Sequence, residues 1–319
     1  MTPIKKLLQV TSSPHIHSTE SISSAMRDVL LALVPALLVS LYFFRVPALL
    51  LVLSCVSSAY IAEYLCLKAM GKQTPVKEQS AVVTGLLLAF CLPPTLPLWM
   101  GALGSAFGIV IAKHLFGGLG YNIFNPALIG RCFLLASFPV AMTHWITPID
   151  GVSSASPLGM LKESMEGSLP SVTQLLVGNV SGSLGETSAV AILIGGLYLW
   201  YRGHIDLRIP ASFIGTVFVL TFIIAMVNGK GISCPLFHLF AGGLFLGAFF
   251  MATDWVTTPV TKLGRILFGI GCGSLVVLIR VKGGYPEGVA YSILLMNVVT
   301  PLLDRYTKAR VFGREQRNG

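Results

Sequence analysis

Residues 29–44 read VLLALVPALLVSLYFF, and residues 46–67 read VPALLLVLSCVSSAYIAEYLCL. Only Arg45 separates the two runs, and Glu63 is the one charged residue inside them. A helix needs about 17–25 mostly apolar residues to cross the hydrocarbon core of a bilayer. Runs of this kind recur along the whole chain, so the sequence predicts an all-α membrane protein.

The composition agrees with a membrane setting. Of the 319 residues, 54% are apolar and 11% are charged, whereas about 25% are charged in a typical soluble domain. The net charge of +9 comes from basic residues spread over short loops rather than gathered in one stripe, which argues against a nucleic-acid partner.

The cysteines stand singly and mostly inside apolar runs, so they are expected to be packing residues. No metal site is predicted from their spacing. The six are Cys55, Cys66, Cys91, Cys132, Cys234 and Cys272.

Ten membrane-spanning helices are predicted, five on each side of a long polar stretch at residues 143–182. The whole chain, residues 1–319, is predicted to be a single polytopic membrane domain. One half covers about residues 25–142, and the other covers about residues 183–305. The predicted spans are residues 29–44, 46–67, 80–92, 96–116, 125–142, 183–201, 209–227, 235–252, 264–280 and 287–303.

Basic residues are distributed unevenly between the two predicted membrane faces. If the N-terminus is cytoplasmic, most of them lie on that face, as the positive-inside rule requires. Both termini are therefore predicted to be cytoplasmic, and the 143–182 loop is predicted to be external. The cytoplasmic face receives Lys68, Lys72, Lys77, Lys113, Arg202, Arg208, Lys262, Arg265, Arg305, Lys308, Arg310, Arg314 and Arg317. The external face keeps Arg45, Lys162, Lys230, Arg280 and Lys282.

The two halves resemble each other in sequence. The residues RVPA at 45–48 recur as RIPA at 208–211, and Pro210 follows Pro47 by 163 residues. The glycine pair at 117–118 recurs at 283–284, an offset of 166, and Pro259 follows Pro94 by 165. Each half has an odd number of predicted spans, so the halves should be inverted repeats about an axis in the membrane plane.

Interrupted helices in both halves point to a site near the middle of the membrane. The third span stops at Pro93-Pro94, and its partner, the eighth, runs into Thr253-Asp254 and then Thr257-Thr258-Pro259. Broken helices expose backbone groups that coordinate ions or anionic groups. The glycine-rich turns at 117–122 and 283–285 fit either plain helix starts or contacts with a cofactor or ion.

Ionisable residues inside the apolar runs need a partner or a function. Burying one at the bilayer centre costs roughly 2.5–3.5 kcal/mol. Asp254 and Glu63 are candidates for an ion pathway, and the alternative is helix capping or an internal salt bridge. Glu287 and Glu186 lie near span ends, and Glu287 joins the ion-pathway candidates. Arg131 is interpreted as a snorkelling or helix-pairing residue.

The polar loop contains a small hydroxyl-rich cluster, DGVSSASPL at residues 150–158. Small neighbours such as Gly151 and Ala155 would let a modifying enzyme approach a hydroxyl there. Pro157 would hold the following backbone extended. The cluster is either an attachment site for a covalent cofactor or simply an external loop.

Three motifs together resemble a known family. They are FGGLGYNIFNPALIGR at 116–131, FMATD at 250–254 and YPEGVAY at 285–291. The chain resembles the D subunit of the Rnf complex, an ion-translocating ferredoxin:NAD oxidoreductase, over essentially its whole length. The B subunit of the sodium-pumping NADH:quinone oxidoreductase is a close relative of that protein.

The resemblance implies a covalent FMN. In this family the FMN phosphate is attached to a threonine hydroxyl in a motif like Asp-x-x-Ser/Thr-Gly-Ala-Thr on the outer face of the membrane. Here the motif is carried by Asp150, Ser153, Ser154, Ala155 and Ser156. Ser156 stands where threonine is usual, and Ser154 where glycine is usual. Ser156 is therefore the expected FMN phosphoester site, with Ser153 and Ser154 as fallback acceptors.

The resemblance also implies partners and a location. It predicts a subunit in the cytoplasmic (inner) membrane of a prokaryote that is not catalytic alone. The partners would be iron–sulfur and flavin subunits, a flavin transferase for maturation, and Na⁺ or H⁺ as the moved ion. A noncovalent riboflavin in the helix bundle is a further implied cofactor.

Two other functions remain open at the level of the sequence. A channel or secondary transporter would use the same inverted repeat without a redox cofactor, and it predicts no flavin absorbance. A purely structural membrane protein within a complex predicts that neutral replacements of Asp254 or Glu63 leave ion pumping unchanged.

Overall fold

The computed structural model describes residues 21–71, 79–148, 150–163, 169–229 and 231–308. Every regular element in these ranges is helical, and the one β interaction among them is an isolated bridge between Ile146 and Ser153. The predicted all-α class is confirmed. The helices are α1 (Ile22–Ala69), α2 (Ser80–Phe90), α3 (Leu98–Phe107), α4 (Pro126–Ser137), α5 (Pro139–Met142), α6 (Pro157–Lys162), α7 (Val172–Val177), α8 (Ala189–Tyr201), α9 (Arg208–Val227), α10 (Ser233–Phe240), α11 (Leu244–Leu246), α12 (Lys262–Lys282) and α13 (Val289–Tyr306).

Helix α1 contains both of the first two predicted spans. Its helical geometry is interrupted at Arg45, where φ is 51° and ψ is −128°. Pro47 lies two residues further on; it lacks a backbone N–H and its ring crowds the preceding turn. The helix therefore breaks at Arg45, where the two predicted spans meet, and the division into two crossings stays a prediction.

Several helices are apolar, but their lengths differ. By length and composition, α1, α9 and α12 are able to cross a membrane, and α10 with α11 forms a bent pair that would make a fourth crossing. Shorter apolar helices occupy Ser80–Phe90, Leu98–His114, Pro126–Ser137 and Ala189–Tyr201. The chain is a membrane protein by this criterion, and the predicted count of ten crossings stays a prediction.

Two helices continue into π-helical turns. Helix α3 runs on as Gly108–His114, and α11 runs on as Gly247–Met251. Such turns are rare and tend to occur at functional sites. Both of them reach the interior of the bundle, where their residues are mostly buried.

The predicted eighth span is broken twice. It ends at Met251, before Thr253-Asp254, as the sequence suggests. A further break was not predicted: α10 ends at Phe240 and the chain bends by 59° before α11. Gly242 carries the bend with φ +77°, a conformation that favours glycine. The break therefore falls inside the predicted eighth span, next to charged side chains described below.

Serine and glycine residues bring helices close together. The Ser58 hydroxyl donates to the Ala102 carbonyl over 2.6 Å, and the Ser105 hydroxyl donates to the Cys55 carbonyl over 2.7 Å, so both join α1 to α3. Helix α9 packs against α12 at Gly269, where a side chain would collide with the α9 backbone. Small residues play this role in membrane helix packing.

Candidate functional site

The polar loop begins as a short hairpin. The Thr147 N–H donates to the Val152 carbonyl over 2.8 Å, and the Ser154 N–H donates to the Trp145 carbonyl over 3.1 Å. Asp150 lies exposed near the tip of this hairpin. The first motif residue is therefore presented to solvent.

Ser156 begins the short helix α6. Its Oγ accepts a hydrogen bond from the Gly159 N–H over 3.2 Å, and Pro157 occupies the first helical position. The Ser156 side chain is half-buried. As a helix cap the oxygen serves only as an acceptor, and an ester oxygen retains lone pairs for that role.

The other motif residues differ in accessibility. Ser153 is exposed and its Oγ lies 3.1 Å from His144 Nε2. The Ser154 Oγ is buried and has no hydrogen-bond partner in the described part of the chain, which makes it a poor acceptor for a bulky group. Ala155 is exposed, and its carbonyl accepts a 2.8 Å hydrogen bond from the Ser181 hydroxyl.

Helix α6 is docked on the second half of the protein. Lys162 Nζ donates to the carbonyl of Gly283 and, over 3.2 Å, to that of Tyr285. Beneath the helix, a small apolar cluster is formed by Leu158, Leu175, Val180, Phe237 and Ala241. The loop is thus held in place at the turn that precedes α13.

A cavity of about 470 Å³ lies between the two halves of the chain. Glu63 and Asp254, both ion-pathway candidates, line it, together with the glycine-rich turn at 117–120. Glu287 does not line it. The structure therefore brings two of the three candidates to one cavity and places the third elsewhere.

Glu63 has an internal partner. Lys113 Nζ lies 2.6 Å from Glu63 Oε1 and 2.7 Å from Ser80 Oγ, and the Lys113 side chain is only 2% exposed. Lys113 is an interior residue because the π-helical turn after α3 carries it into the bundle; its placement on the cytoplasmic face stays a prediction. Of the two alternatives for Glu63, an internal salt bridge is what the structure contains.

The hydrogen bonds that Asp254 receives in the described ranges come from neutral groups. The Thr257 hydroxyl lies 3.3 Å from Asp254 Oδ2, and the Thr258 hydroxyl donates to the Asp254 carbonyl over 2.9 Å. The segment from 252 to 261 is not helical, so this carboxylate sits in irregular backbone beside the cavity.

The first glycine-rich turn is both a helix start and part of the cavity wall. Gly117, Gly118 and Gly120 all have positive φ. Asn125 then caps α4 by accepting a 3.0 Å hydrogen bond from the Ala127 N–H, with Pro126 first in the helix. The predicted helix start is confirmed, and contact with a cofactor stays a prediction.

The second turn is built differently. Gly283 has φ −74°, and α13 begins only after Gly288, so Glu287 stands in the turn rather than in the helix. Glu287 forms an ion pair with Arg131 of α4 and accepts a 2.8 Å hydrogen bond from the Gly243 N–H. Arg131 therefore pairs helices and does not snorkel.

Arg280 belongs to the same region. It is 6% exposed, and its guanidinium donates to the carbonyls of His238 and Ala241. Its placement on the external face stays a prediction. Sequence reasoning missed Lys113 and Arg280 as interior residues, although each stands three or four residues before a Gly-Gly pair, and that shared position was a usable signal.

Outside the helices, the turn between α8 and α9 has its own ion pairs. Asp206 lies 2.9 Å from Arg208 and 2.8 Å from Arg265. Partial burial raises the pKa of the Asp206 carboxyl, but hydrogen bonds from the Arg208 backbone and the Arg265 side chain, with both positive charges, lower it more. The net pKa of Asp206 lies below its ordinary value.

Taken together, these features define an integral membrane protein of helices whose interior holds paired charges and a cavity, with helix α6 of the polar loop packed on its surface. Intramembrane ionisable groups of this kind mark functional pathways. The sequence matches the model of the NQR2, RnfD, RnfE family over residues 9–313, and the chain belongs to this family.

Curated relatives cover nearly the whole chain. The chain is 50% identical to the D subunit of the Na(+)-translocating ferredoxin:NAD(+) oxidoreductase complex of Acetobacterium woodii, over 96% of this chain and 95% of the relative. It is 46% identical to the D subunit of the proton-translocating ferredoxin:NAD(+) oxidoreductase complex of Clostridium ljungdahlii, with 97% of both chains covered.

A third relative, the D subunit of the ion-translocating oxidoreductase complex of Cronobacter sakazakii, is 39% identical over 96% of this chain and 99% of its own length. The resemblance to the D subunit of the Rnf complex is confirmed. These homologues are subunits of ion-translocating oxidoreductase complexes, as the sequence motifs predict for this chain.

Proposed function

We propose that this chain is the membrane subunit of an Rnf-type ferredoxin:NAD oxidoreductase and carries FMN as a phosphoester on Ser156. In this role it couples electron transfer to the movement of Na⁺ or H⁺. The observation that carries the proposal is the position of Ser156, whose hydroxyl stands at the ordered corner between an exposed hairpin and the docked helix α6.

Serine is a chemically adequate substitute for threonine at this corner. It supplies the hydroxyl oxygen that a phosphoester needs and lacks only a methyl group. Its neighbours Ala155 and Gly159 are small, which leaves space around the oxygen. The buried Ser154 hydroxyl is much less suitable, so Ser153 is the more accessible fallback.

The proposed architecture has ten crossings arranged as two inverted five-helix repeats. Besides the sequence repeats, Gly269 and Gly273 of α12 follow Gly104 and Gly108 of the α3 region by 165 residues each. With both termini in the cytoplasm, the FMN loop would face outward from a prokaryotic inner membrane.

The ion pathway is proposed to involve Glu63 and Asp254 at the cavity and Glu287 beside the break between α10 and α11. The cavity volume of about 470 Å³ falls within the range of roughly 300–1,000 Å³ found for small-molecule sites. The cavity is therefore the proposed place for a noncovalent riboflavin, with the 117–120 backbone and Asn122 as its polar lining.

The energetics of coupling are modest. A bound flavin supplies one- and two-electron chemistry, while the protein fixes its position and electrostatics. Moving one charge against 100 mV costs about 2.3 kcal/mol, and a two-electron drop of ~30 mV releases ~1.4 kcal/mol. A drop of about 50 mV would therefore move one ion.

Partner subunits follow from this function. Electrons would arrive from and leave to iron–sulfur and flavin subunits on the two membrane faces, and a flavin transferase would attach the FMN. The names of the relatives place those proteins in multi-subunit complexes. The same assembly is proposed for this chain.

Substitution of the proposed acceptor tests the function. Ser156→Ala is expected to abolish the fluorescent flavin band of the denatured protein on a gel, whereas Ser156→Thr and the matched control Ser153→Ala keep it. Mass spectrometry of the peptide containing Ser156 should show an FMN-sized addition. A flavin band that survives in Ser156→Ala would remove the assignment, and a flavin-free protein that still passes ions would favour a channel or secondary transporter.

A further inference from the structure

At the break between α10 and α11, two carboxylates, Glu186 and Glu287, lie close to the backbone of Gly243. Glu186 ends the 3-10 turn Leu184–Glu186 just before α8, and Glu287 stands in the turn before α13. A Cβ added at Gly243 would lie 2.9 Å from Glu287 Oε1 and 3.6 Å from Glu186 Oε1. Both carboxylates therefore face the hinge between α10 and α11.

The cations of this region are already engaged. Arg131 forms its ion pair with Glu287, which also receives the Gly243 N–H. Arg280 directs its two terminal nitrogens at the carbonyls of His238 and Ala241, where α10 ends. That is a favourable place for a cation, because the end of a helix carries partial negative charge.

Glu186 is left without a direct counterion. Its Oε1 is buried and accepts no hydrogen bond from any residue that the structure describes, and no ion pair to Glu186 occurs in those ranges. The Ser183 hydroxyl, 1% exposed and likewise without an assigned partner, lies beside the Glu186 carboxylate. An unpartnered buried carboxylate is costly when it is charged.

We propose that Glu186 and Glu287 form a proton-exchange site in which the pair holds one proton, carried by Glu186. Two neighbouring carboxylates in a low-dielectric site do not both ionise unless each has its own cation, and the pair then titrates as a unit. Glu287, with Arg131, is the ionised member. The site releases or takes up a proton by the reaction Glu186–COOH to Glu186–COO⁻ and H⁺.

Charged and polar groups from several elements face the Glu186 carboxylate. Glu287 disfavours its ionisation, whereas Arg131 and the Ser183 hydroxyl favour it. Arg280 adds positive charge from α12 but is directed at carbonyls, and the Cys91 thiol lies beside Arg131. The balance depends on Arg131, which pairs with Glu287 and not with Glu186.

The proton-exchange site adjoins the loop that carries Ser156. A Cβ added at Gly242 would lie 2.8 Å from the Leu158 side chain and 3.3 Å from Arg280 Nη2. Helix α6 thus rests on the same hinge. If the proposed function holds, negative charge arriving on the FMN would favour the protonated form of Glu186, and electron and proton movements would be linked here.

Infrared difference spectroscopy of the full-length purified chain, recorded as the pH is raised, tests the site. The wild type and Asp254→Asn, which lacks the other interior carboxyl with neutral hydrogen-bond partners, are both expected to show a protonated-carboxyl band that shifts in D₂O and disappears as the pH rises. Adding Glu186→Gln to Asp254→Asn should remove the band entirely, and adding the matched control Glu163→Gln, at an exposed residue, should keep it. Absence of the band in Asp254→Asn, or its persistence when Glu186→Gln is added, would overturn the proposal.

A second variant separates proton sharing from a merely structural role. Glu287→Gln removes the neighbouring negative charge and leaves Arg131 free to pair with Glu186, so the band should disappear at lower pH than in the wild type. An unchanged or higher titration point would contradict a shared proton. In-gel flavin fluorescence should remain in Glu186→Gln, and loss of flavin from the wild type would affect only the proposed function.

Discussion

The two halves of the molecule each bury charged residues beside a glycine pair, but they do so in different ways. In the first half, one ammonium and one carboxylate, Lys113 and Glu63, meet at the wall of a cavity. Beside Gly242-Gly243, Arg131 of the first half joins Arg280, Glu186 and Glu287 of the second half in close packing at a helix break. The cavity beside Lys113 and Glu63 has space for a ligand. The closely packed carboxylates beside Gly243 instead allow a change of protonation or of the bend between α10 and α11.

The largest effect is expected from removing Arg131. Arg131→Met leaves Glu287 buried without its cation, and breaking such a pair costs about 3–5 kcal/mol. The free energy of unfolding in detergent should fall by that amount. Arg131→Met combined with Glu287→Met should recover most of the loss, and failure to recover would mean that the pair does not act as a unit.

A smaller loss is expected at the cavity. Lys113→Met leaves Glu63 with only His114, whose Nε2 lies 3.9 Å from Glu63 Oε1. Water can also reach this carboxylate from the cavity, so the cost should be nearer the roughly 1–3 kcal/mol of an unsatisfied buried group. The same unfolding measurement applies, with Lys262→Met on the exposed start of α12 as control. Equal losses of unfolding free energy for Lys113→Met and Arg131→Met would mean that the cavity does not lower the cost of an unpaired carboxylate.

Replacing a glycine by alanine should also destabilise the protein more at the closely packed helix break than at the cavity. Gly242→Ala places a methyl group against Leu158 in a backbone with φ +77°, whereas Gly120→Ala meets no atom within 4 Å at φ +91°. Strain of this kind costs roughly 1–3 kcal/mol. Both variants should lower the midpoint of thermal unfolding, and Gly242→Ala should lower it further; the reverse order would mean that the hinge is loosely packed.

The smallest loss of unfolding free energy is expected at the partly exposed ion pairs of Asp206 with Arg208 and Arg265. Because the folded pKa of Asp206 lies below its unfolded value, its contribution is complete above about pH 4 and is lost as the pH falls through the folded pKa. Asp206→Asn should cost about 0–1 kcal/mol at neutral pH and nothing in strong acid. Unfolding midpoints measured across the acid range would check this, and a loss independent of pH would contradict it.

The helical layout was accessible from the sequence for simple physical reasons. Apolar runs must be helical in a bilayer, since no water is available to the backbone, and local signals such as Pro47 after Arg45 or Asn125 before Pro126 mark helix ends. The family and the Asp150–Ser156 motif were likewise visible, because both are carried by contiguous residues.

The buried ion pairs could not be predicted from the sequence in the same way. Lys113 and Glu63 are 50 residues apart, and Arg131 and Glu287 are 156 apart, so no local pattern joins them. Counting basic residues by membrane face treats each as exposed to water, whereas Lys113 and Arg280 are buried. The bend at Gly242 was missed because it lies in an apolar stretch without proline.

The burial of Lys113 also makes it a chemical reporter. An ion-paired amine that is 2% exposed is shielded from amine-reactive reagents, whereas Lys262 and Lys282 at the ends of α12 are exposed. The extent of Lys113 acylation, compared with theirs in the same digest, therefore measures how often the cavity opens. The ratio of Lys113 acylation to that of Lys262 and Lys282 therefore reports internal motion of the chain without a cofactor or partner subunits.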